Sequence, residues 1–193
     1  MALLSIDVAL FRSTALGLNI IVSFLGSLAF IKAGYFSNKL FWPITLAAIP
    51  FAYIGGSLEI QASLFRVILG LALFLAIIRL FQSENTDKKI RCAVMWQMML
   101  SGSLIGFLSG LIGVGGGIFL TPLVIFMRWG STKTAAAISS PFILINSASG
   151  LLGLRPNLYD FHSFFPFLAS IVLVGGLMGS IWGSHFAASK QIR

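Results

Sequence analysis

The sequence predicts an all-α, polytopic membrane protein built from two inverted half-repeats, with a glycine-broken hairpin in the second. Three observations carry this reading. Apolar stretches of spanning length recur along 193 residues that are 58% hydrophobic and 9% charged, with a mean hydropathy of +0.98; soluble domains carry about 25% charged residues. Four glycines, Gly113, Gly115, Gly116 and Gly117, interrupt an apolar run that extends from Trp96 to Met127. Basic residues flank the apolar runs with a bias towards one side of the membrane, as cytoplasmic loops do.

Composition excludes several classes. A spanning helix takes about 20 residues, so the chain holds about eight at most. The net charge of +8 comes from Lys and Arg scattered between apolar runs, which suits membrane flanks and lipid headgroups and gives no continuous stripe for nucleic acid. One cysteine, Cys92, forms no intrachain disulfide, and His162 and His185 lie in different segments. A membrane-embedded enzyme would need clustered His, Cys or acidic side chains, so neither enzyme activity, a metal nor another cofactor is expected. Met1 to Leu10 lacks the basic region and cleavage site of a signal peptide.

Each element follows from its own pattern. The first helix, residues 13–31, carries Asn19, Ser23 and Ser27 at four-residue spacing, which places them on one side facing other helices or a cavity. The second, 40–57, has Trp42 as an interface anchor and Pro43 and Pro50 as expected kinks. The third, 63–82, is a plain spanning helix flanked by Arg66 and Arg79. The polar stretch from Ser83 to Arg91 then divides the chain. The second half opens with a helix over 94–112. Each glycine in the cluster that follows costs about 1 kcal/mol relative to alanine in a helix interior, so the helix breaks there. The piece 117–129 contains Pro122 and reaches only about 20 Å, against about 30 Å of hydrocarbon. Helix, break and short piece therefore form a hairpin with its turn in or near the membrane. A helix over 134–154 bears Ser139, Ser140, Asn146, Ser147 and Ser149, and a last one covers 163–182.

The halves match in order. An offset of 124 superposes Ser23 on Ser147 and Gly26 on Gly150, and an offset of 127 superposes Gly56-Ser57 on Gly183-Ser184. This gives a first half-repeat at 1–82 lacking its glycine hairpin, a polar cytoplasmic linker at 83–92, and a second half-repeat at 93–193 lacking its last helix, so truncation at both ends is expected. If the hairpin enters and leaves on one face, Lys32, Lys39, Arg79, Lys88, Lys89, Arg91, Arg128, Lys133, Lys190 and Arg193 share a side, with Arg12, Arg66 and Arg155 opposite. A non-returning piece would divide the charges almost evenly. The returning hairpin is the better fit to the positive-inside bias, and it runs 13–31 and 137–154 in opposite senses. Inverted repeats and broken helices are the architecture of secondary transporters.

The stretch from Gly106 to Gly150 carries a family resemblance. A glycine-spaced helix, Gly110-Leu-Ile-Gly-Val-Gly-Gly-Gly-Ile118, a proline five residues past the last glycine, and Lys133-Thr-Ala-Ala-Ala-Ile-Ser-Ser-Pro141 before a small-residue helix resemble the TauE/SafE family of sulfite exporters and toluene-sulfonate uptake permeases. Residues 12–34 and 54–81 are similar to the back part of that family's first half. Family members usually carry two glycine motifs, and here only the second is present. The resemblance implies export or uptake of small anions, often sulfur oxyanions or organosulfonates, across the bacterial inner membrane. The alternative is a non-transporting fragment or accessory membrane subunit. A homo-oligomer is left open.

The candidate substrate-binding residues are Gly113, Gly115, Gly116, Gly117 and Pro122 of the hairpin, Ser139, Ser140 and Asn146 of the following helix, and Asn19 from the first half. Backbone N–H groups at the start of the short piece would favour an anion through the helix dipole. Close helix packing is the alternative use of the glycines, although packing motifs space glycines four apart. Interhelical hydrogen bonding is the alternative for the serines and asparagines. A nucleotide-binding loop is a poor alternative, because Ile118 stands where the third glycine of G-x-G-x-x-G belongs and no Gly-Lys-Ser/Thr follows. Arg66 and Arg155 are expected to reach the headgroups, Asp7, Glu59 and Asp160 to lie at segment ends, His162 to pair with Asp160 at the interface, and Cys92 to be an ordinary thiol at the cytoplasmic edge.

Overall fold

The computed structural model describes residues 8–32, 34–59, 61, 63–67, 70, 71, 74, 91–155, 170, 171 and 173–175. Among them there is no strand. The helices are α1 (Val8–Lys32), α2 (Asn38–Ser57), α3 (Met95–Ile112), α4 (Gly117–Phe126) and α5 (Thr132–Leu154), with further helical residues at 63–67. Most of the expected segments at 63–82 and 163–182, the linker 83–92 apart from Arg91 and Cys92, Asp7, Asp160, and both histidines lie outside the described residues. The first helix begins at Val8, five residues before its expected start. α1, α2, α3 and α5 are each long and apolar enough to cross a membrane. α2 continues through Pro43 and Pro50 as one helix, so neither proline ends it; each removes one donor from the helix ladder.

Close backbone packing sets the arrangement. Gly102, Gly106 and Gly110 repeat every four residues along α3 and rest on the Ile44, Ala48 and Ala52 carbonyls of α2. A Cβ at any of the three would collide with that backbone. Lipid tails are as apolar as a helix surface, so small residues and dispersion drive such contacts. Both series ascend together, so α2 and α3 run parallel. Ser149 Oγ donates to the Ile49 carbonyl at 2.6 Å, and Gly153 packs on Tyr53, so α5 also runs parallel to α2. Leu16 meets Gly150 and Gly26 meets Ser140, so α1 is antiparallel to α5, the opposite sense expected for 13–31 and 137–154. Thr121 pairs with Ser139 and Gly117 meets Ile143, so α4 is antiparallel to α5 and therefore to α3.

α3 and α4 are thus the two arms of a hairpin. α4 has 10 residues, a rise of about 15 Å, and ends three residues earlier than expected. The Arg91 N–H donates to the Arg128 carbonyl at 2.7 Å, tying the chain just before α3 to the chain just after α4. The hairpin therefore returns to the side it left. Lys39, Arg91, Arg128 and Lys133 lie at this end of the bundle, and Arg12, Arg66 and Arg155 at the other. Inside the bundle, Leu40, Phe41, Ile44 and Ala48 of α2, Ile105 of α3, Leu120 and Val124 of α4, and Ile138 and Phe142 of α5 share one buried cluster, which clamps the short arm between α2 and α5.

Candidate functional site

The break is formed by glycine conformation. Gly113 closes α3 at φ 82° and ψ 25°, with its N–H on the Ser109 carbonyl at 2.8 Å. Gly115 follows at φ 76°, and Gly116 opens α4 at φ 83° and ψ −9°. A residue with a Cβ would lose about 1–2 kcal/mol at each of these positions. Space is also closed: a Cβ on Gly116 would stand 2.8 Å from Phe142 Cε1 and 3.1 Å from Ile105 Cγ2, and one on Gly117 would run into Ile143. At the start of α4 the Phe119 and Leu120 N–H groups both bond to the Gly116 carbonyl at 3.1 Å, while those of Gly117 and Ile118 have no acceptor among the described residues. At the positive end of the α4 dipole Gly116 and Gly117 are buried, while Ile118 is exposed.

Polar side chains from two helices converge on this end. From α5, the Asn146 amide is 1% exposed and donates to the Gly115 carbonyl over a long 3.4 Å, leaving its Oδ1 buried with no described partner. Ser147 is buried, its Oγ also unpartnered, 2.7 Å from where a Cβ on Gly115 would stand. Asn19 Nδ2 of α1 lies 3.0 Å from the same point. An unpaired buried polar group costs about 1–3 kcal/mol, so the bundle holds polar capacity here that its own packing does not use.

The expected site residues separate into three groups. Asn19, Asn146, Gly115, Gly116 and Gly117 come together at the break. Ser139 hydrogen-bonds to Thr121 of α4 at 2.8 Å, about one turn further along and next to Pro122, whose missing N–H leaves the Ile118 carbonyl without its helical donor. Ser140 faces Gly26 of α1, with Oγ 3.2 Å from the glycine's Cβ position, and Gly113 packs on Arg12. The stripe on α1 also divides: Ser23 and Ser27 donate back to the Asn19 and Ser23 carbonyls of their own helix, leaving only Asn19 to reach the break. Arg66 and Arg155 are exposed.

Three residues escaped the sequence reading of the site. Ser147 and Thr121 were legible as neighbours of Asn146 and Pro122. Arg12 had been placed among the flanking charges, yet it is 2% exposed and its guanidinium reaches four carbonyls: Nη1 donates to that of Leu58 at 2.9 Å, and the two N–H groups of Nη2, one of them shared, donate to those of Gly55 at 2.9 Å, Gly56 at 3.0 Å and Gly110 at 2.9 Å. Its charge rests on the negative C-terminal ends of α2 and α3. Only its position inside the first turns of an apolar helix hinted at burial.

A multi-pass helical bundle with a broken hairpin enclosing buried polar groups belongs to the transporter class of membrane architectures. Family comparison makes the assignment specific. The model of the sulfite exporter TauE/SafE family matches residues 1–193, and the chain belongs to that family of membrane transporters. It is 29% identical over 198 residues to a probable membrane transporter protein of Sinorhizobium fredii, covering 100% of this chain and 80% of the relative. It is 30% identical over 146 residues to a probable membrane transporter protein of Methanocaldococcus jannaschii, covering 72% of this chain and 54% of that relative. No solved structure matches the chain.

Proposed function

We propose that the chain moves a small anion, a sulfur oxyanion such as sulfite or an organosulfonate, across the bacterial inner membrane by alternating access between two inverted halves. The observation that carries this reading is the glycine break at the start of α4, where Asn19, Asn146 and Ser147 converge on Gly115 and Gly116 and the N–H groups of Gly117 and Ile118 have no acceptor among the described residues. These donors are neutral, and the guanidinium of Arg12 is engaged with four carbonyls. Such a site stabilises negative charge through dipoles while holding it weakly enough for release. The antiparallel pairing of α1 with α5 is the relation an inverted repeat requires, and the sulfur chemistry follows the family's description.

The test is efflux of radiolabelled sulfite from proteoliposomes containing the chain. Asn146→Leu keeps the side chain's approximate size and removes its amide. Saturable efflux that falls at least about tenfold in the variant, equivalent to about 1.4 kcal/mol, is expected. Equal efflux from both proteins would contradict the site, and absence of sulfite efflux from the unmodified chain would favour the non-transporting reading.

A further inference from the structure

We propose that Arg12 is a positioning residue that holds the glycine break against α1 and α2 and so closes the Arg155 end of the site. This rests on the transporter reading above, but its test requires no transport. The hydrogen bonds of Arg12 all go to backbone carbonyls among the described residues, so it acts through the backbone. Three of its four bonds go to the last turn and end of α2, at Gly55, Gly56 and Leu58. The fourth crosses to Gly110 of α3, three residues before the break. Its stem carries the same contact onward, since a Cβ on Gly113 would stand 3.1–3.3 Å from Arg12 Cα, Cβ and Cγ. One side chain thus ties α1 to the ends of α2 and α3 and to the first glycine of the break.

Glu59 is the one acidic side chain among the described residues, is exposed, and makes no ion pair with Arg12. Among the described residues the guanidinium is held by carbonyl dipoles, and Nε is buried without a partner there. The Gly110 bond adds to the glycine packing that already joins α3 to α2, and it is the bond that ties Arg12 to the arm leading into the break. Lysine could not substitute fully, since a point ammonium with three donors cannot span the same set of carbonyls.

The test uses the full chain with Cys92→Ser and one introduced thiol, Ser147→Cys, beside Gly115. A membrane-impermeant thiosulfonate is added from the Arg155 side of oriented vesicles. Arg12→Met, which keeps the apolar stem and removes every donor, is expected to raise the labelling rate at position 147 about tenfold or more from that side, with Arg12→Lys intermediate. Ser27→Cys, near the opposite end of α1, serves as the control and is expected to label at an unchanged rate. An unchanged rate at 147, or equal acceleration at 147 and 27 that signals general loosening, would overturn the proposal.

Discussion

Gly116→Ala isolates what the break demands of its sequence. Two costs add. The φ of 83° penalises a Cβ by about 1–2 kcal/mol, and the new methyl would stand 2.8 Å from Phe142 Cε1 and 3.1 Å from both Asn146 Nδ2 and Ile105 Cγ2. Phe142 is fully buried in the core and cannot retreat freely, so overpacking adds about 1–3 kcal/mol. The sum is about 2–5 kcal/mol. Gly34→Ala is the matched control: its φ is 76° but nothing lies within 4 Å, so it incurs only the conformational cost, reduced by the lower entropy of the unfolded alanine chain. Thermal unfolding of the purified chain in one detergent, followed by intrinsic fluorescence, compares the two. Gly116→Ala should melt well below Gly34→Ala. Equal melting points would refute the packing half of the reasoning, and an unperturbed Gly116→Ala would refute both halves.

Two further stability predictions concern helix packing and capping. Gly106→Ala would place a Cβ 2.8 Å from the Ala48 Cα and should destabilise by about 2 kcal/mol after its helix-propensity gain is deducted, whereas Gly70→Ala, with open space around it, should stabilise by up to about 1 kcal/mol; the same melting assay reads both signs. Ser131→Ala removes the cap of α5, whose Oγ accepts from the Thr134 N–H at 3.2 Å, and should cost about 1 kcal/mol, seen as a lowered midpoint in the same detergent.

Much of the scaffold was legible because its signals are local. Spanning length and composition marked α1, α2, α3 and α5, and consecutive glycines marked the break, since left-handed backbone is a property of single residues. The charge asymmetry anticipated the returning hairpin that the Arg91 to Arg128 bond closes. Side-chain destinations were less legible because they depend on neighbours. Ser139 and Ser140 are adjacent and so point about 100° apart on a helix, one towards α4 and the other towards α1. Ser23 and Ser27 satisfy themselves on their own helix, an option that four-residue spacing does not distinguish from facing a cavity. The Gly102, Gly106 and Gly110 ladder packs on α2, a partner that the spacing of the glycines in their own helix does not name. Arg12 looked like any flanking charge, and only the meeting of two distant helix ends reveals why it is buried.

The central claim is that Asn19 of α1 and Asn146 of α5 meet the start of α4 to hold a small anion. Titration calorimetry of sulfite into the detergent-solubilised chain, alongside Asn19→Leu, Asn146→Leu and the distant Ser131→Ala, tests it most directly. Saturable binding weakened at least about tenfold in each asparagine variant, equivalent to about 1.4 kcal/mol, and unchanged in Ser131→Ala is expected. Sulfite binding that survives both asparagine substitutions would contradict it.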